Sequence, residues 1–209
     1  MTYSLRERRR QMLRDEILEA AHALMTAKGY AALSMEELAA RVGISKPTLY
    51  NQFPAGKEEL VVAMAMQLME RVFTMVEGAA LRQSPLDRLV ELLRAAVYLQ
   101  LEQGADAMQI WLPEIVQLLE ANDASRSYLC KIDHLVVDSV REALAQGEID
   151  PAMDVPSVVR IFNALIVSPN VGRLSSAGNP DPARMADTVA EVFRRGIARR
   201  EGQGLPLTP

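Results

Sequence analysis

Apolar residues recur along this chain at helical spacing, and no alternating run bounded by hairpin signals interrupts them. From about Arg10 to Lys28, residues Ile17, Leu18, Ala21, Leu24 and Met25 make one stripe, and Gly29 follows as a residue able to take positive φ. Tyr30 to Leu33 is a connector. Ser34 with Glu37 three residues later predicts a capping box, and Leu33 with Leu38 a hydrophobic staple, so a short helix starts at Met35. Gly43 ends it after Val42. Ser45 is a ready N-cap for a second short helix through Gln52, and Pro47 is harmless because the first helical N–H groups have no internal acceptor.

Beyond Phe53-Pro54-Ala55-Gly56 the pattern turns long-helical, over about Lys57–Glu77, Pro85–Gln103 and Pro113–Glu120. A further helix over about Ser125–Gln146 has an inner stripe of Leu129, Ile132, Leu135, Val136, Ser139, Val140, Ala143 and Leu144, and Gly147 ends it. Two more cover about Val155–Ser168 and Pro182–Arg199, separated by the loop-forming stretch Pro169 to Asp181. The first of these is apolar nearly all round and needs cover on two sides. The second carries a stripe of Met185, Val189, Val192, Phe193 and Ile197. An intermolecular four-helix bundle, two helices from each subunit, satisfies both, with cover by other helices of the same chain as the alternative. Residues 201–209 read as a disordered tail.

Charge divides this all-α chain unevenly. Of 209 residues, 23 are Lys or Arg and 27 Asp or Glu, for a net charge of −4, which argues against coating nucleic acid or membrane over the whole surface. Residues 1–60 are nevertheless +1 and the remainder −5, and residues 1–14 hold five Arg against Glu7 alone. Any nucleic-acid site is therefore local, beginning with a basic arm whose other reading is a frayed, solvated terminus. The single Cys130 allows no internal disulfide. No apolar run approaches the roughly 18 residues that span a bilayer, no signal peptide is legible after the arginines, and the expected location is cytoplasmic.

Residues 34–52 carry the chemistry. Leu38, Ala39, Val42, Ile44 and Leu49 are placed to fill the angle between two short helices, while Lys46, Thr48, Tyr50, Asn51 and Gln52 offer a cation, hydroxyls and amides on the second. Asn and Gln can pair with adenine edges, Lys with guanine, and hydroxyls with phosphate. Spacing alone also fits a helical hairpin with a merely solvated polar face. The run Leu33 to Pro54, with Thr48-Leu49-Tyr50 and Phe53 at its centre, followed by Lys57-Glu58-Glu59-Leu60 and preceded by the pattern Ile17 to Ala21, resembles the DNA-binding domain of the TetR family of bacterial transcriptional regulators. The resemblance covers about residues 10–65.

That resemblance implies an all-α protein with an N-terminal three-helix helix-turn-helix DNA-binding domain, basic arm included, over residues 1–56. It further implies a C-terminal helical ligand-binding and dimerisation domain over residues 57–200. The homodimer would form through residues 155–168 and 182–199 and bind double-stranded DNA at a palindromic operator, a small-molecule effector releasing a repressor. Ser34, Met35, Lys46, Pro47, Thr48, Tyr50, Asn51, Gln52 and Lys57 are the candidate DNA contacts, Tyr50 and Lys57 at phosphate positions. One departure is the extra residue in Ala55-Gly56, which bears on the reach of Lys57.

For the effector, Met64, Tyr98, Met108, Trp111 and Phe162 are candidate lining residues, and a mostly apolar lining favours a lipophilic molecule; each also suits ordinary core filling. Cys130 and His134, four apart, are too few for a zinc site, so no metal and no cofactor are expected. No nucleotide-binding, zincin or nucleophile-elbow motif occurs, and the pairs Glu36-Glu37 and Glu58-Glu59 sit where a helix dipole favours acids, so an enzyme is not expected. Two rivals remain: a non-specific or architectural DNA-binding protein, and a protein-interaction module with a repurposed helix-turn-helix.

Overall fold

The computed structural model describes residues 4–80, 84–103, 113–167 and 181–199. Met108, Trp111, most of the Pro169–Asp181 connector and the 201–209 tail lie outside them. Among the described residues the helices are α1 (Leu5–Lys28), α2 (Met35–Val42), α3 (Lys46–Gln52), α4 (Lys57–Ala80), α5 (Pro85–Gln103), α6 (Pro113–Ala121), α7 (Asp123–Ala145), α8 (Val155–Val167) and α9 (Pro182–Ile197). No strand occurs among them beyond an isolated bridge between Ile149 and Ala198. None of these helices is long and apolar enough to cross a membrane.

Two compact units are present, one of residues 1–70 with 103–128, the other of residues 71–102 with 129–209. In the first, α1 begins five residues before the expected Arg10. Ser4 Oγ accepts from the Glu7 N–H while the Glu7 carboxylate accepts from the Ser4 N–H at 2.8 Å, a capping box that winds the arginine-rich arm into helix. Those bonds also hold the Glu7 carboxyl below its ordinary range. Ile17, Leu18, Ala21, Leu24 and Met25 are buried as the stripe requires.

The second unit is built around α5, whose Leu89, Leu93 and Val97 are fully buried with Val136, Val140, Val158, Phe162 and Phe193. Phe162 and Phe193 meet edge to face at 5.8 Å, which accounts for the burial of both rings. Long-range polar bonds stitch the helices together. Asp87 on α5 pairs with Arg194 on α9, and that hydrogen bond keeps the Asp87 carboxyl below its usual value. Arg88 donates through Nε to the buried Ser139 Oγ at 2.9 Å and pairs with Glu142. After α7, Gly147 takes φ +71, and α9 stops at Ile197 rather than Arg199 because Asp150 N–H donates to Ile197 O and Arg199 N–H to Glu148 O.

Val192 on α9 is 61% exposed and Ile161 on α8 is 42% exposed, since Phe193 and Phe162 take the inward-facing places beside them. At the start of α7, Asn122 caps the helix through Ala124 and Ser125 N–H, so the helix begins ahead of Ser125. The Ser125 hydroxyl instead donates to Leu119 O at 2.6 Å.

Candidate nucleic-acid interface

Helices α2 and α3 meet at Gly43, whose φ of +75 lies in the left-handed region, and whose N–H closes the turn onto Ala40 O. Ile44 N–H donates back to Ala39 O. Ser45 caps α3, accepting from Thr48 N–H at 3.2 Å, and its hydroxyl shares a 2.8 Å bond with Thr48 Oγ1. Leu38 and Leu49 are wholly buried and Ala39 nearly so, and they fix the angle between the helices.

With Leu49 turned in, helical geometry turns Lys46, Pro47, Tyr50 and Asn51 out together, positions i, i+1, i+4 and i+5 on one face. All four are exposed. Thr48 is half-buried at the helix start, its hydroxyl already engaged with Ser45. Gln52 is half-buried, and its Oε1 is buried without a hydrogen-bond partner, so its acceptor is turned away from the face to which sequence reasoning assigned it. Lys46 does not stand alone: its ammonium lies 2.6 Å from the Glu36 carboxylate, the two side chains being 53% and 74% exposed.

Ser34 and Met35 sit at the start of α2, exposed and half-buried respectively. The expected capping box is absent. Ser34 makes no side-chain cap bond, and the Glu37 carboxylate that would complete the box pairs instead with Lys28 at the end of α1. Leu33 and Leu38, the staple pair, are both buried.

Arg14 and Lys57 tie the reader together. Arg14 donates to Gln52 O at 2.8 Å, satisfying a carbonyl at the end of α3, and its guanidinium lies 4.2 Å from the centre of the buried Phe53 ring. Sequence reasoning counted Arg14 within the basic arm and missed this role. Its spacing on the Ile17–Leu18 side of α1 was the available signal. At the extra residue, Gly56 has φ +68 and a Cβ there would meet the Tyr50 ring at 3.4 Å, so a left-handed turn lies next to the exposed tyrosine. Glu59 closes the turn by accepting from Ala55 N–H at 3.0 Å. Lys57 then donates to Ala31 O at 3.3 Å and lies 4.1 Å from the Tyr30 ring centre, partial burial holding its pKa below the ordinary lysine value. One of its three N–H donors is thus engaged.

Of the candidate effector residues, Met108 and Trp111 lie outside the described residues. Phe162 is core, packed on Phe193. Met64 is half-buried in the first unit. Tyr98, half-buried in the second, donates to Glu102 at 3.1 Å and lines a cavity of about 370 Å³ with Glu91, Arg94, Ala95, Ala183, Ala186 and Asp187, a lining of charged side chains and alanines. Cys130 and His134 are exposed on α7, and no group of three or more metal-ligating side chains occurs among the described residues.

Residues 17–64 match the family described as bacterial regulatory proteins, tetR family. The activator FasR of Mycolicibacterium smegmatis is 41% identical over 86 residues, 40% of this chain and 36% of FasR. The repressor AcnR of Corynebacterium diphtheriae is 26% identical over 190 residues, 88% of this chain and 92% of AcnR. The first curated relatives are thus matched over about a third of their length. Among solved structures, the ketosteroid regulator KstR2 of Mycobacterium tuberculosis superposes with a TM-score of 0.72 at 23% identity, covering 90% of this chain and 95% of that one. AibR bound to isovaleryl coenzyme A and operator DNA gives 0.71 at 24% identity, over 87% and 98%. FadR of Bacillus subtilis bound to stearoyl-CoA gives 0.70 at 16%, over 88% and 98%. The helix-turn-helix geometry and the match over residues 17–64 agree, and this region of the chain is the N-terminal domain of the tetR family of bacterial regulatory proteins.

Proposed function

We propose that this protein is a sequence-specific DNA-binding transcriptional regulator, a repressor that holds a palindromic operator as a homodimer and leaves it when a small effector with a lipophilic part binds. The observation carrying the reading is the outward face of α3, where Lys46, Pro47, Tyr50 and Asn51 are exposed together over a fully buried Leu49. In this reading Lys46 and Asn51 reach base edges, and Tyr50, Ser34, Thr48 and the remaining donors of Lys57 meet sugar and phosphate around them. Met35 packs beside the backbone contact and Gln52 contributes least, its acceptor being buried. The winding of Arg6, Arg8, Arg9 and Arg10 into α1 favours a rigid basic rod over a loose arm for the flanking phosphates.

A dimer would set two such faces about 34–36 Å apart, one turn of DNA. The exposed Ile161 on α8 and Val192 on α9 support the expectation that these two helices meet their copies, and residues 57–200 are the proposed dimerisation and effector part. An effector that binds the non-operator spacing better lowers operator affinity by the same factor by which operator lowers effector affinity. An acyl chain is the proposed lipophilic part, because AibR and FadR share this fold and were solved with acyl-coenzyme A molecules. AcnR favours repression over the activation named for FasR, since it matches along most of this chain.

The test is selection of genomic DNA fragments by the purified protein, sequenced at two salt concentrations. An enriched inverted repeat that survives the higher salt supports the regulator. Enrichment without a motif, collapsing as salt rises, would favour an architectural protein, and no binding would favour a protein-interaction module.

A further inference from the structure

Helix α5 turns one stripe inward at helical spacing, and Leu86, Leu89, Leu93 and Val97 are all buried along it. The next position on that stripe is Gln100, only 4% exposed. Every earlier member is aliphatic, so the glutamine is a polar residue at a core position. Its Nε2 is buried and meets no hydrogen-bond partner. That is a costly arrangement for an amide, since a donor withdrawn from water regains nothing unless an acceptor replaces it. Ser139, the other buried polar residue among the described residues of the same unit, is satisfied by Arg88 Nε at 2.9 Å, so this core does pair polar groups elsewhere.

We infer that Gln100 is the polar anchor of the effector site, its Nε2 donating a hydrogen bond to the carbonyl oxygen of an acyl effector. The inference rests on the acyl reading above and adds a residue and an atom to it. A free N–H selects an acceptor, which an acyl carbonyl supplies, a thioether sulfur supplies only weakly and a bare hydrocarbon does not. A site that pre-places one desolvated donor among aliphatic side chains discriminates on that single oxygen, because a ligand lacking it leaves the donor unpaired.

The experiment compares the full-length wild type, Gln100→Met and Gln100→Leu by calorimetry and thermal melting. The probes are isovaleryl- and stearoyl-coenzyme A, each beside the thioether analogue in which CH2 replaces the carbonyl. The expected result is that the wild type prefers at least one thioester over its thioether by about tenfold and that both variants lose the preference. Without any probe, the variants should melt higher by about 2–6 °C, having shed an unpaired buried donor. A preference retained in both variants would overturn the role of Gln100 while leaving the acyl reading in place. Wild type that binds its selected operator but none of the four probes would overturn the acyl reading and the anchor with it. Variants that melt lower without ligand would also overturn the inference, since the amide would then be held by an internal partner or an ordered water.

Discussion

The turn between α2 and α3 and the core of the second unit use polar side chains over very different distances. In the reader, the bonds that set the turn are local: Ser45 to Thr48 spans three residues, and Lys46 reaches Glu36 across the turn. In the second unit the corresponding bonds close gaps of 51, 62 and 107 residues, through Arg88–Ser139, Leu86–Glu148 and Asp87–Arg194. A face assembled from one short stretch can be varied residue by residue without disturbing its scaffold. A helical core tied by long-range pairs responds to substitution as a whole.

The sharpest way to break the comparison is Leu49→Ala. Leu49 is fully buried behind the reading face, so its loss should destabilise the reader by about 2–5 kcal/mol and abolish operator binding. Chemical denaturation alongside a binding titration checks this, and full operator affinity in the variant would mean the face does not depend on that packing. Next in size, Lys46→Ala and Asn51→Ala should each weaken specific binding by about 1–3 kcal/mol with little change in stability, as exposed positions allow. Gly43→Ala places a β-carbon at φ +75 with open space around it, so backbone strain alone should cost about 1–2 kcal/mol.

On the other side of the comparison, Asp87 provides a pH signature. Its pKa is lowered in the folded protein by the bond from Arg194, so the stability it contributes is present above the ordinary carboxylate pKa and is lost as pH falls through the depressed value. Asp87→Asn should therefore flatten the acid limb of the stability profile measured by thermal melting between about pH 5 and pH 2. The smallest effect should come from Glu36→Gln. Both partners of the Lys46 pair are largely exposed, so stability should change by no more than about 1 kcal/mol, while operator affinity rises modestly because the lysine is released for DNA.

Locality also decided what could be read from the chain. The helix boundaries at Met35, Val42 and Gln52 and the turn at Gly43 follow from residues within a few positions of one another. The Ser4–Glu7 capping box was equally local, yet the adjacent arginines suggested fraying where a helix begins. Ser34 and Glu37 have the right spacing for a cap, but Lys28, nine residues before Glu37, takes the carboxylate. The engagement of Lys57 with Tyr30 and Ala31 depends on how three helices meet and has no signature in spacing, whereas the spacing of Arg14 marked its side of α1 but not its partner Gln52. Side-chain type alone did not distinguish Phe162 from Tyr98, whose places follow from packing across α5, α8 and α9: Phe162 meets Phe193 in the core and Tyr98 lines a cavity.

The most direct measurement is operator affinity against affinity for a scrambled fragment of equal length, titrated at low and near-physiological salt with wild type and Asn51→Ala. The account predicts that the wild type holds a ratio of about a thousandfold or more at the higher salt, and that the substitution reduces this ratio while leaving the scrambled fragment unaffected. Equal affinity for the two fragments, falling together as salt rises, would contradict it.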